Sequence, residues 1–313
     1  MTGTSSRIVY INGQFVPESA ARVSIYDSGL VMGDMAYEVT RTFSHRPFRL
    51  RDHLERLAHT LSVLRIELPM PLHTLEQITL ETLGMNLSTE PSDVDWNIIH
   101  NVSRGPSSPF LDAFPEAERQ ATVTVSCYPL SYRLGKLAPL FSTGIDLVVP
   151  QQRAVPREVI DPTIKTRSRW YFQLANMQAE ALHSGAWAVL MRPDGILTEG
   201  TNANLFLVRG GEIFTPHESD VLSGITRDVV IELAAKLGLR LHEADLTVDD
   251  ALSADEVFLT STSIGALHAR SFDRIAIGDG QLGPVTAKIR AAIEREVGID
   301  FAAQAQAYAA RQG

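Results

Sequence analysis

Five stretches of the 313-residue chain carry side chains able to do polar chemistry. The first is Ile160-Asp161-Pro162-Thr163-Ile164-Lys165-Thr166-Arg167-Ser168-Arg169. A lysine held in a polar pocket near cations loses basicity and can act as nucleophile and proton carrier. The second is Leu197-Thr198-Glu199-Gly200-Thr201-Asn202-Ala203-Asn204, where a carboxylate at a strand end is followed by small residues and can face a flat ring. The third, Leu222-Ser223-Gly224-Ile225-Thr226-Arg227, precedes a helix whose unpaired N–H groups and Thr226 hydroxyl suit an anion. The fourth, Thr260-Ser261-Thr262-Ser263, sets hydroxyls at a strand end, and the fifth places Arg56 on a helix in His53-Leu54-Glu55-Arg56-Leu57. Local spacing alone leaves each open to a plainer reading. Lys165 and Arg56 read equally as solvated, Glu199 as a loop glutamate, 222–227 as a capped helix and 260–263 as a Ser/Thr turn.

The elements that must position these residues follow from pattern. Asn12-Gly13 between Arg7–Ile11 and Gln14–Val16 predicts a hairpin. Residues 34–43, Trp96–Val102 and Ala121–Cys127 read as strands, and His53–Leu64 and Leu72–Leu83 as amphipathic helices. Pro129–Gly144 lacks periodicity, which places a linker at 136–144 between an N-terminal α+β domain, 1–135, and a C-terminal α+β domain, 145–313. In the second half, Ile145–Val149, Trp187–Arg192, Leu205–Val208 and Val257–Thr260 read as strands. Arg169–His183, Arg227–Leu237 and Val285–Glu296 read as helices, with Gly238 as a C′ glycine. Two α+β domains with a cleft between them is the expected architecture.

Composition narrows the function classes. A net charge of -9 disfavours nucleic acid and anionic membranes as partners. The single cysteine, Cys127, excludes an intrachain disulfide and suits a reducing compartment; it lies in an alternating apolar run and is expected to be a core thiol. Met1–Arg7 lacks the apolar segment of a signal peptide, so a cytoplasmic location is expected, with no membrane partner and no metal site.

The order and spacing of Glu199, Asn204-Leu205-Phe206, Ile213-Phe214-Thr215 and Leu222-Ser223-Gly224-Ile225-Thr226-Arg227 resemble the signature of the class IV aminotransferases, the fold type IV enzymes of pyridoxal 5'-phosphate (PLP). The likeness runs from Asn12-Gly13 to Gly283-Pro284-Val285-Thr286. It implies a two-domain fold with the cofactor in the interdomain cleft, a homodimer, and transfer of an amino group from an amino acid or primary amine to a 2-keto acid. By the same resemblance Lys165 matches the lysine that carries the cofactor as a Schiff base, and Glu199 the acid facing the pyridine nitrogen. Arg56, Ile225, Thr226 and Thr262 match phosphate contacts, and Leu222 the residue packed on the ring.

The substrate is less sharply marked. Met32-Gly33-Asp34-Met35-Ala36-Tyr37-Glu38-Val39 resembles the D-amino-acid enzymes, but Ser103-Arg104-Gly105 continues without their arginine–histidine pair. Arg22–Gly29, Arg104–Phe110 and Arg153–Lys165 resemble the (R)-amine transaminases. Arg169-Trp170 replaces the Asn-Tyr of the branched-chain enzymes. Tyr37 and Ser263 are expected at the substrate, and Arg41 either binds its carboxylate or is solvated. A lyase acting on aminodeoxychorismate and a non-catalytic PLP-binding protein are the alternatives; Glu38 stands where the lyase has a threonine.

Overall fold

The computed structural model describes residues 7–311, so Met1 to Ser6 of the polar N-terminal stretch lie outside the described residues. Chain contacts divide it into two compact units. The first is Met1–Tyr132 with Ile164–Ser168, and the second is Arg133–Thr163 with Arg169–Gly313. The segment bearing Lys165 thus packs with the first unit, although it follows the expected linker in sequence.

The first unit contains β1 (Ile8–Ile11), β2 (Gln14–Pro17), α1 (Ser28–Val31), β3 (Met35–Phe43), β4 (Arg46–Pro47), α2 (Leu50–Leu64), α3 (Leu72–Asn86), β5 (Trp96–Ser103) and β6 (Thr122–Pro129). The six strands form an antiparallel sheet in the order β2-β1-β6-β5-β3-β4. Positive φ at both Asn12 and Gly13, 45° and 90°, gives the tight turn expected between β1 and β2. On β6, Val123, Val125 and Cys127 are buried while Thr122, Thr124 and Ser126 are half-exposed, the period-2 pattern of a strand with one covered face. Helices α2 and α3 cover that face, adding Leu54, Leu57, Leu61, Leu75 and Leu83 to Trp96, Ile98 and Val102. Each buried leucine contributes about 1.5–3 kcal/mol. Burial pushes the Cys127 thiol up to about 12, as suits a core thiol.

Arg104 terminates α2: its Nη1 and Nη2 donate to the carbonyls of Arg65 and Leu64 at 2.7 and 2.8 Å, and its Nε to Asp34 Oδ2 at 2.7 Å. A cation at the carbonyl end of a helix meets the negative pole of its dipole. Ser103-Arg104-Gly105 thus has a structural occupation.

The second unit opens with α4 (Ser131–Leu134), which starts just before its boundary, then α5 (Leu140–Thr143), β7 (Ile145–Val148), α6 (Trp170–Leu182), β8 (Trp187–Met191), β9 (Leu197–Gly200), β10 (Ala203–Arg209) and β11 (Glu212–Thr215). There follow α7 (Ile225–Lys236), β12 (Leu241–Glu243), α8 (Val248–Leu252), β13 (Glu256–Ser261), β14 (Gly265–Phe272), β15 (Ile275–Ala276), α9 (Pro284–Val297) and α10 (Phe301–Ala310). Strands run β12-β11-β10-β13-β14-β7-β8-β9, and β9 returns to pair with β10. Six strands therefore close into a ring, and β10 is buried at every position from Ala203 to Val208. Residues 136–144, expected as a linker, form a 3-10 turn and α5; Gly135 lies so close to α10 that a Cβ there would stand 3.0 Å from Ala309 N.

Candidate functional site

The polar residues fall into two constellations, one in each unit. In the first, strand alternation puts Glu38 on the face of the sheet that α2 covers. Along α2, His53, Arg56 and Thr60 stand at i, i+3 and i+7, a polar column beside the leucine stripe of Leu54, Leu57 and Leu61. Arg56 grips Glu38 with a two-pronged fork, Nε to Oε1 at 2.7 Å and Nη2 to Oε2 at 2.8 Å. His53 Nδ1 lies 2.8 Å from the same Oε2. The Glu38 carboxylate can only accept, so Nδ1 carries the hydrogen. Glu38 is fully buried and Arg56 and His53 nearly so. Burial alone would raise the Glu38 pKa, yet the Arg56 guanidinium and the His53 N–H hold it well below the ordinary carboxylate range. Burial lowers His53, keeping that ring neutral. Directly across from Glu38 on β5, His100 is pushed down to about 4 by burial.

The third member of the column reaches Lys165. Thr60 Oγ1 accepts the Lys165 N–H at 3.1 Å. Tyr37 N donates to Lys165 O at 3.0 Å, and Arg167 N to Met35 O at 2.9 Å. Ala36 and Thr166 form an antiparallel bridge. Strand β4 pairs only with Thr42 and Phe43, so Ile164–Ser168 completes the β3 edge at its Met35 end. The half-buried Lys165 puts Nζ 4.8 Å from the Tyr37 ring centroid. Arg167 Cζ stands 3.8 Å from the same ring centroid, and its Nε and Nη2 donate to Asn101 Oδ1 at 2.9 and 2.8 Å. Arg41 is not solvated: it is fully buried, stacks 4.0 Å from the Phe43 ring centroid and donates from Nε to Thr42 O at 3.3 Å.

In the second unit, Glu199 is the last residue but one of β9 and Asn204 lies directly across from it on β10. Glu199 Oε2 accepts from Asn204 Nδ2 and from Leu222 N, each at 3.2 Å, and Asn204 Nδ2 also donates to Leu222 O at 2.9 Å. One amide therefore ties the carboxylate to the chain that leads into α7. Gly224 caps α7 without a side-chain hydrogen bond, and a Cβ there would meet Asn204 Oδ1 at 1.9 Å. Only glycine admits that approach. Ile225 and the half-buried Thr226 occupy the first turn of α7, where N–H groups have no acceptor within the helix. Thr262 and Ser263 sit, half-buried, on the turn joining β13 to β14, closed by Ile264 N donating to Ser261 O at 3.2 Å. Across from Asn204, Thr260 Oγ1 is buried with no hydrogen-bond partner among the described residues.

The structure thus brings Lys165, Tyr37 and Arg56 together through β3 and α2, and Glu199, Leu222, Ile225 and Thr226 through Asn204. Thr262 and Ser263 share the β13–β14 turn. Sequence pattern alone passed over Glu38, His53, Thr60, Asn101, Arg167 and Asn204 as site residues. The His53, Arg56, Thr60 spacing is the one signal that could have exposed the α2 column.

The family model for amino-transferase class IV matches residues 35–272, and the chain belongs to that family. It is a transaminase of fold type IV, and its cofactor is PLP. A putative branched-chain-amino-acid aminotransferase of Methanocaldococcus jannaschii is 32% identical over 284 residues, 90% of this chain and 93% of that one. The D-alanine aminotransferase of Bacillus licheniformis is 27% identical over 290 residues, 92% and 96% of the two chains. The crystal structure of the T.th. branched-chain amino acid aminotransferase with pyridoxamine 5'-phosphate superposes with a TM-score of 0.81 at 28% identity, covering 95% of this chain and 96% of that one.

Each unit by itself carries groups whose chemistry fits PLP. The first has an amine at Lys165; the second has a carboxylate at Glu199 backed by two N–H donors and a helix start whose unpaired N–H groups suit a phosphate.

Proposed function

We propose that this transaminase moves the amino group of a branched-chain or similarly apolar L-amino acid to a 2-keto acid. The observation that carries the reading is the apolar pair Val39 and Ile99, directly opposite each other on the Tyr37 face of the sheet and only half-buried. An unsaturated surface of this kind accepts an aliphatic side chain. The branched-chain aminotransferases among the relatives support it.

In this reading Lys165 would hold the cofactor, and its Nζ would take up the α-proton of the donor and deliver it to the cofactor. Its backbone is tied at both N–H and C=O, so only the side chain has to move. Glu199 would hold a proton on the ring nitrogen, Leu222 would pack on the ring, and Arg56, Ile225, Thr226 and Thr262 would take the phosphate. PLP supplies an aldehyde and an electron-withdrawing ring. Tyr37 and Ser263 face the substrate.

The experiment is a donor panel of L-leucine, L-valine, D-alanine and (R)-1-phenylethylamine with 2-oxoglutarate as acceptor. L-leucine and L-valine should give the highest kcat/KM. A higher value for D-alanine or for the amine would displace the branched-chain reading. Release of pyruvate from aminodeoxychorismate without amino transfer would point to the lyase.

The working form in this reading is a cytoplasmic homodimer. Ile25, Leu30, Val31 and Met32 of the first unit are exposed, as are Trp170, Leu174 and Met177 at i, i+4 and i+7 on α6. Apolar groups clustered in this way are characteristic of surfaces covered by another chain. Light scattering at twice the chain mass would support it; a monomer at micromolar concentration would not.

A further inference from the structure

Glu38 is a buried carboxylate for which the transamination chemistry has no obvious use. It sits among apolar neighbours, Ala36 on its own strand and Ile98 and Val102 on the next, all fully buried on the helix-covered face. A charge in such surroundings is tolerated only when paired. Its partners are specific: both oxygens are engaged by Arg56 and one of them also by His53.

The two prongs fix the guanidinium in position and in plane. An arginine side chain free in a groove samples many rotamers, and an anion must freeze it on binding. Here that freezing is already done, because Nε and Nη2 are committed to Glu38 and the direction of Nη1 follows from the fork. Arg56 is also rooted in the same helix column as Thr60, which holds the Lys165 backbone. The anion anchor and the lysine therefore share one rigid support.

We infer that Glu38 is a positioning residue which, with His53, pre-organises Arg56 to receive the phosphate of the cofactor. The inference rests on the reading of Arg56 as a phosphate ligand. It also accounts for glutamate in place of the lyase threonine. A glutamine at 38 could keep its oxygen on Arg56 Nη2 and His53 Nδ1, but its NH2 group would then face the Nε donor, and turned over it would face Nη2 and Nδ1 instead, so one prong is lost either way. The fork cannot survive that substitution.

The test measures equilibrium binding of PLP and of pyridoxal, which lacks the phosphate, to the full chain stripped of cofactor. Glu38→Gln should weaken PLP about 10-fold or more while changing pyridoxal less than about 3-fold, because only the phosphate meets Arg56. Equal weakening of both ligands, or PLP affinity unchanged or increased, overturns the inference. Arg56→Gln separates this from the underlying reading. If it leaves the PLP-to-pyridoxal preference at the wild-type value, Arg56 is not a phosphate ligand, and the role of Glu38 falls with it. If Arg56→Gln removes the preference and Glu38→Gln does not, only the positioning role fails. Should Glu38→Gln not fold, Glu38→Asp keeps the charge on a shorter arm. It should lose part of the preference, about 3-fold, with melting temperature followed alongside; an unchanged preference would count against the proposal.

Discussion

Replacing Glu199 by glutamine tests the second-unit constellation with little change of shape. Two hydrogen bonds to the carboxylate converge on Oε2, from Asn204 Nδ2 and Leu222 N at 3.2 Å each. A glutamine can put its oxygen there and keep both. What it loses is charge: bonds to an ionised acceptor contribute about 1.5–3 kcal/mol and neutral ones about 0.5–1.5, so the stability cost is roughly 1–3 kcal/mol. The catalytic cost is larger, because the amide cannot hold a proton on a ring nitrogen. Loss of one such electrostatic partner lowers kcat by about 100- to 1,000-fold, equivalent to about 3–4 kcal/mol of barrier. The expected pattern is a protein that folds, binds PLP stoichiometrically and retains KM within a few-fold, but with kcat reduced by at least two orders of magnitude. Steady-state transamination with L-leucine, together with absorbance titration of the cofactor, reads both quantities. A variant saturated with PLP whose kcat stays within about 3-fold of wild type would refute the role of Glu199.

Two further outcomes follow from the packing. Gly224→Ala should lower stability by about 1–3 kcal/mol and weaken PLP binding, because its Cβ would collide with Asn204 Oδ1 and break the amide link to Glu199; an unchanged melting temperature would refute the need for glycine at this position. Stability should fall as pH drops from about 6.5 toward 4. Burial holds His100 and His268 down to about 4 in the folded chain, so only the unfolded chain takes up these protons in that window, and the stabilisation is complete above it. For the fully buried His100 the gap corresponds to roughly 3 kcal/mol, and urea unfolding of wild type and His100→Gln at pH 7.5 and 5 should show a shallower loss in the variant.

The first-unit strands were legible because β5 and β6 alternate against a covered face, and the β1–β2 turn because Asn12 and Gly13 both take positive φ. Helix α10 escaped notice because its buried side is Phe301, Ala305 and Tyr308 among alanines, with too little contrast between faces to show a period. The order of the polar motifs was enough to suggest the chemistry. Their support was hidden for a different reason. Thr60 and Lys165 are 105 residues apart, and no local pattern can show that a backbone N–H so far along the chain ends on a helix hydroxyl. Glu38 is equally silent, since a carboxylate in an alternating strand reads as a solvated residue until its own face proves to be the covered one. Yet it is burial that turns Glu38 and Arg56 from a weak surface pair into a fixed frame, because away from water neither charge can exchange the other for solvent. The anchor at Arg56 and the backbone of Lys165 are consequently held by one helix column, and a displacement of α2 along its axis would disturb both at once.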